Sequence, residues 1–226
     1  MFIAGDTHQR IYDHQIALGA LGINIRGRAA RLTLSYRTTK EILAHALRIV
    51  DPVNPNEPII YDDLDDGTAT LAGYRSVLHG CPPDFIGYDT WNDELSALTE
   101  IVKRWRADES RSASLTANWS AAPPITGITC AELTKDGLDG DGEVHIGTMH
   151  RFKGLEYQRL AIVGADDGSI PRSTIERYRT GDPPRYAREH RKARSLLFVA
   201  ATRARDVLRV SWHGKPSPYL PDGSRA

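Results

Sequence analysis

Cysteine is scarce in this chain: Cys81 and Cys130 are the two found in 226 residues. They belong to no spaced pattern, which excludes a disulfide framework and a zinc site of paired thiolates. No apolar run approaches the ~20 residues needed to cross a bilayer. The N-terminus has no charged-then-apolar leader. A cytoplasmic protein with no membrane partner is therefore expected. No internal repeat is present, and there is no net charge, since 29 Lys and Arg face 29 Asp and Glu.

The zero hides three blocks. Residues 1–50 carry 7 basic against 3 acidic side chains, residues 51–143 carry 6 against 18, and residues 144–226 carry 16 against 8. A basic terminal third suits a polyanion, either nucleotide phosphate or nucleic acid. Solvated helix faces with no partner explain the charge equally well. Of the 29 basic residues 23 are Arg, a planar fork suited to phosphate, although a GC-rich genome raises Arg without any functional meaning.

Local patterns predict alternating strands and helices. MFIAG reads as a buried strand ending at a polar loop, and RLTLSY as the next strand. TTKEILAHALRIV places Ile42, Leu43, Ala46, Leu47 and Val50 at helical spacing, with Thr38 or Thr39 as cap and Glu41 in the favoured first turn. Residues 51–68 read as loop, then ATLAGYRSVL and DFIGYDT as short strands. WNDELSALTEIVKRWR is the clearest amphipathic helix, with Leu95, Leu98, Ile101, Val102 and Trp105 on one face. Periodicity is lost around residues 107–127, where a poorly ordered stretch is expected. GEVHIGTM and RLAIVGA are dense enough in apolar residues for burial on both faces. Residues 186–205 read as a helix and DVLRVSW as a last strand. The pattern predicts an α/β domain with a parallel sheet.

Four strings carry candidate chemistry. In LLFVAATRAR an anchored helix brings Arg203 to a fixed point, where it serves either as an arginine finger for a transferring phosphate or as a salt bridge at a helix end. In GDTHQRIY, Gln9 lies just past a strand end, the edge where α/β proteins place ligand groups. It can donate to phosphate and accept from water, but a Gly-Asp turn needs no function. In SYRTT, Tyr36 can stack on a base beside Arg37; an amphipathic tyrosine at the core edge is the commoner case. TMHRFKGLEY is the most specific. Gly154 permits a tight turn, Lys153 is a point-charge phosphate ligand, and Glu156 can accept from a ribose hydroxyl. His150 has no second ligand at metal spacing, so no protein-built metal site is expected.

Taken along the chain, GDTHQRIY, SYRTT, TMHRFKGLEY and LLFVAATRAR resemble motifs three, four, five and six of the UvrD/Rep-like superfamily 1 DNA helicases. The resemblance implies a RecA-like fold, ATP with Mg2+ in the cleft between two such domains, and single-stranded DNA across the top. Residues 1–30 would be the edge of a first domain and residues 31–226 the second. Gln9, Arg37 and Arg203 would match groups around the γ-phosphate, Tyr36 the adenine-stacking aromatic and Glu156 the ribose-contacting acid. Tyr12 would match a base-stacking aromatic, and Thr148 and His150 backbone contacts to DNA. Two departures stand out. The tryptophan usual beyond Tyr12 is replaced by His14, a weaker stacking group. The span between SYRTT and TMHRFKGLE is too short for the helical insertion of many relatives.

No G-x-x-x-x-G-K-[ST] occurs in the sequence, so the loop that cradles α- and β-phosphates is not in this chain. No strand ending in Asp-Glu precedes GDTHQRIY to hold magnesium. The resemblance then implies the C-terminal part of an ATP-dependent 3′-to-5′ helicase, partnered by a P-loop-bearing first domain. The alternative is a non-catalytic fragment that binds DNA weakly or complements a partner.

Overall fold

The computed structural model describes Ile11, residues 32–50, 74–107 and 127–221, and the main chain of residues 113–117. The expectations for MFIAG, Gln9, Tyr12, His14 and the 51–68 loop fall outside these residues.

Two sheets are present among the described residues. Strands β1 (Leu34–Ser35) and β2 (Arg75–Ser76) form a small parallel ribbon. The main sheet has seven strands: β3 (Asp84–Tyr88), β4 (Ala113–Ala117), β5 (Cys130–Thr134), β6 (Gly137–Asp139), β7 (Val144–Thr148), β8 (Tyr157–Val163) and β9 (Ala204–His213). Their order is β3-β9-β8-β4-β7-β5-β6. Every neighbouring pair is parallel except β5 and β6. Parallel pairing needs long crossovers and buries both faces.

Three helices cover it: α1 (Lys40–Val50), α2 (Trp91–Ala107) and α3 (Pro183–Ala201). The period-2 alternation of β8 decides which helix meets which residue. Leu160 and Ile162 join Ile42, Ala46, Leu197 and Val199 in the core under α1 and α3. Ala161 and Val163 face the other way, onto Leu98, Val102 and Trp105 of α2. Each of those α2 side chains contributes about 1.5–3 kcal/mol by leaving water. The predicted apolar faces of α1 and α2 are confirmed, with Leu47, Leu95 and Ile101 at their partly buried margins.

Two expectations need correction. The helix read over 186–205 spans Pro183–Ala201. Proline is tolerated in a first helical turn, so Pro183-Pro184 starts α3 behind the Asp182 cap, which accepts from Arg185 N at 3.1 Å. Arg203 therefore lies in the turn between α3 and β9 and does not end the helix. The stretch read as poorly ordered holds β4, paired on both sides in mid-sheet. A five-residue strand with parallel neighbours on both sides has no reason to show a period. Glu94, in the first turn of α2, was not singled out by the sequence and is 1% exposed. Its carboxylate accepts from Gly164 N at 2.8 Å and Ser211 Oγ at 2.6 Å, and lies 3.0 Å from His213 Nδ1. These bonds tie the first turn of α2 to the far ends of β8 and β9.

Candidate functional site

Register places the first site residues. Tyr157 pairs with Ala204, so β8 and β9 begin side by side. The turn containing Leu155 and Glu156 leads into β8, and Thr202-Arg203 leads into β9. The entry to α1 is held against them, because Thr39 N donates to Arg205 O at 3.1 Å. Three strings far apart in sequence thus meet at one rim. There Arg37 Nε donates to Glu156 Oε2 at 3.1 Å, with side-chain exposures of 42% and 44%. Tyr36 is 71% exposed beside them, a large ring held in water.

Arg203 is 1% exposed. Its Nε donates to Val199 O at 3.0 Å, Nη2 to Thr202 Oγ1 at 3.3 Å and Nη1 to Leu155 O at 3.5 Å. The last carbonyls of a helix lack intrahelical donors, and a cation is favoured at that end. Arg203 meets both conditions while reaching across to the turn that carries Glu156. Main-chain hydrogen bonding joins the same two segments, Tyr157 N donating to Arg203 O at 2.9 Å.

This rim lies at the N-terminal ends of β8 and β9, the edge opposite the one at which α/β proteins commonly gather ligand groups. Thr148 and His150 sit at the other edge, after the C-terminal end of β7. Thr148 precedes the short 3-10 helix Met149–Phe152, in which His150 is half-buried. Burial holds the His150 pKa below the usual histidine value, helped by the positive charges of Lys192, Arg172 and Arg151. The string TMHRFKGLEY runs from one edge to the other. Lys153 is exposed, and Gly154 has φ +92° with nothing within 4 Å of where a Cβ would lie. Glycine is needed there for its backbone angle, not for space.

The eight candidates that are described thus divide into two groups. Tyr36, Arg37, Glu156 and Arg203 gather at the N-terminal rim, Thr148 and His150 stand at the C-terminal rim, and Lys153 and Gly154 connect them. Sequence reasoning missed the cations around His150; Lys192 follows Arg185 and Arg188 at helical spacing, a signal that was available. Among the described residues, no group of three or more His, Cys, Asp or Glu side chains is placed to hold a metal ion. No helix among them is long and apolar enough to cross a membrane.

Comparison with known proteins bears on this arrangement. Residues 124–215 match the family model of the UvrD-like helicase C-terminal domain. Over that segment the chain is similar to a UvrD-like helicase C-terminal domain. Over 78 residues it is 42% identical to YjcD of Bacillus subtilis, assigned as an ATP-dependent DNA helicase; the match covers 34% of this chain and 10% of that protein. It is 30% identical over 132 residues to the ATP-dependent DNA helicase UvrD1 of Mycobacterium leprae, covering 53% of this chain and 16% of that one. With UvrD1 of Mycobacterium tuberculosis H37Rv the identity is 28% over 160 residues, covering 66% and 19%. The chain therefore spans a tenth to a fifth of the length of these relatives.

The crystal structure of the C-terminal domain of a possible DNA helicase from Lactobacillus plantarum WCFS1 superposes with a TM-score of 0.54. It covers 84% of this chain and 96% of that one at 16% identity, a likeness of fold. The fold is RecA-like, a parallel sheet between helices. The UvrD-like match includes TMHRFKGLEY and LLFVAATRAR but stops short of SYRTT. Arg37 and Thr39 nonetheless bond directly to Glu156 and Arg205, so SYRTT is built into the same domain.

Proposed function

We propose that this chain supplies the second RecA-like domain of an ATP-dependent 3′-to-5′ DNA helicase, working against a P-loop-bearing first domain. Arg37 and Arg203 would meet the γ-phosphate, Tyr36 the adenine and Glu156 the ribose. Gln9, if it lies where its motif implies, would sense the γ-phosphate from across the cleft. Lys153 and Gly154 border the nucleotide, while Thr148 and His150 hold the DNA backbone, with Tyr12 and His14 stacking on bases. Mg2+ would be held by the partner's carboxylates.

The convergence of Arg37, Glu156 and Arg203 at one rim is the observation that carries this reading. An exposed ion pair such as Arg37–Glu156 contributes only about 0–1 kcal/mol. A guanidinium placed on a transferring phosphate is worth roughly 10³–10⁵ in rate. Exchanging Glu156 for phosphate is therefore a favourable trade for Arg37, and it releases the Glu156 carboxylate to accept from ribose. Arg203 starts from a buried position, so its part requires its guanidinium to leave Val199 O and Leu155 O as the cleft closes. Closure on ATP and reopening after hydrolysis would then shift DNA affinity with each cycle.

Mixing the chain with a P-loop-bearing first domain of a UvrD-type helicase and measuring DNA-stimulated ATP hydrolysis tests the proposal. Turnover is expected from the mixture and none from the chain alone. Arg37→Ala should abolish turnover and leave the melting temperature unchanged. Robust hydrolysis by the chain alone, or an active Arg37→Ala mixture, would sink the proposal. A second reading, a non-catalytic module that binds DNA weakly, is favoured by the lack of any G-x-x-x-x-G-K-[ST] in the sequence. It predicts DNA binding with no turnover in either format.

A further inference from the structure

Positive charge does not stop at His150. Helix α3 places Arg185, Arg188 and Lys192 at positions i, i+3 and i+7, a single stripe about 10 Å long. Arg185 and Arg188 are exposed and Lys192 is half-buried. The Lys192 end meets His150: α3 packs on the Met149–Phe152 turn, and Lys192, Arg172 and Arg151 all act on the His150 ring. Arg172 comes from the β8-to-α3 crossover, where it precedes the 3-10 helix Ser173–Tyr178 that α3 also covers. At the far end Arg185 and Arg177 lie over the Tyr178 ring, 4.0 and 4.6 Å from its centroid.

Glu189 is the acid interleaved with the stripe on α3, while two others nearby are committed elsewhere. Asp182 caps α3, and Glu176 accepts from Tyr186 Oη at 3.1 Å and pairs with Arg179 at 3.5 Å. Cations drawn from three separate segments thus share one region, continuous with His150, and raise the local positive potential there.

We propose that Arg151, Arg172, Arg188 and Lys192 form a phosphodiester track that carries a nucleic-acid strand away from Thr148 and His150 along the exposed face of α3. The inference rests on the DNA-binding half of the reading above. Phosphate contacts position a strand without reading its sequence, so the track is indifferent to base identity. Its far end offers the Tyr178 ring with its two arginines, where a base can stack.

Anisotropy titrations of the whole 226-residue chain with a labelled oligothymidylate, across a series of KCl concentrations, test it. In Arg172→Ala/Arg188→Ala the slope of log Kd against log salt should become shallower by about 1.4, two contacts at about 0.7 each for single strands. The Arg→Gln pair serves as a second version should the alanines impair folding, which thermal melting monitors. Lys103→Ala/Arg104→Ala, on exposed positions of α2, should leave the slope unchanged. A wild-type slope in the track variants, alongside weakened binding by Thr148→Ala/His150→Ala, overturns the track and leaves the DNA reading standing. If the wild-type chain binds no oligonucleotide even at low salt, both fall. Loss of binding to anionic phospholipid vesicles with no change on the oligonucleotide would also overturn the track.

Discussion

Replacing Arg203 with alanine perturbs stability and the proposed chemistry together, and the geometry sets the weight of each. Its bond from Nε to Val199 O, at 3.0 Å, is well formed, while those from Nη2 and Nη1, at 3.3 and 3.5 Å, are long. A bond from a charged donor contributes about 1.5–3 kcal/mol, and the two long ones together count as about one weaker bond. Losing a cation at a helix C-terminus costs about a further 0.3–1 kcal/mol. Arg203→Ala should therefore destabilise the chain by about 3–5 kcal/mol, out of a total that is typically about 5–15 kcal/mol. Urea unfolding reads this as a lower midpoint with an unchanged m-value. Arg203→Lys keeps the charge and loses the planar fork, so it should recover only part of the loss. An alanine variant within about 0.5 kcal/mol of wild type would refute the structural half of this reasoning. Arg37→Ala supplies the contrast, because its pair with Glu156 is exposed and worth about 0–1 kcal/mol. Lost hydrolysis in Arg37→Ala reports chemistry; in Arg203→Ala it reports chemistry and folding together.

Two further outcomes follow from buried groups. Glu94→Ala strands Gly164 N, Ser211 Oγ and His213, and should cost about 3–5 kcal/mol. Glu94→Gln keeps an acceptor for the first two donors and should cost about 1–2 kcal/mol; equal losses in urea melts would show that the negative charge itself is what matters. His45, His145 and His150 all have pKa values pushed down by burial, with neighbouring cations adding to the effect at His45 and His150. The unfolded chain then takes up protons at a higher pH than the folded one, so stability is full above about pH 6.5 and falls as pH drops below it. Melting temperature should decline from about pH 6.5 toward pH 5, less steeply in His150→Gln; a flat profile would refute the shifts. Glu41 acts in a separate window. Its carboxyl is held low by main-chain hydrogen bonds, including one from Gly80 N, so its contribution is present above the ordinary carboxyl pKa and is lost only under stronger acid.

Helices α1 and α2 were legible because their stability is local: apolar residues recur every three or four positions, and Thr39 closes the first turn of α1 by accepting from Ile42 N at 3.4 Å. The elements that were misread depend on distant partners. Nothing near residues 113–117 announces a strand, because its ladder partners lie at 145–148 and 159–163. Nor does the α2 sequence mark Glu94 for burial, because its partners lie 70, 117 and 119 residues downstream. The site was legible through the family likeness of its strings, but not its division between two edges of the sheet.

That division bears on coupling. Thr148 ends β7 at one edge, and Tyr157 begins β8 at the other. The residues between them include a 3-10 turn whose Met149 and Phe152 are buried in the core. A span this short and this anchored has little slack. On the proposed reading, drawing Leu155 O away from Arg203 as a nucleotide is engaged displaces the same segment that presents His150 to DNA. A change at either rim is then felt at the other through a packed turn, with no rigid-body rotation of the domain required. Lengthening the span by inserting glycine next to Gly154 supplies the test. Nucleotide hydrolysis in the reconstituted pair should persist while its stimulation by DNA is lost, and undiminished stimulation would place the coupling elsewhere.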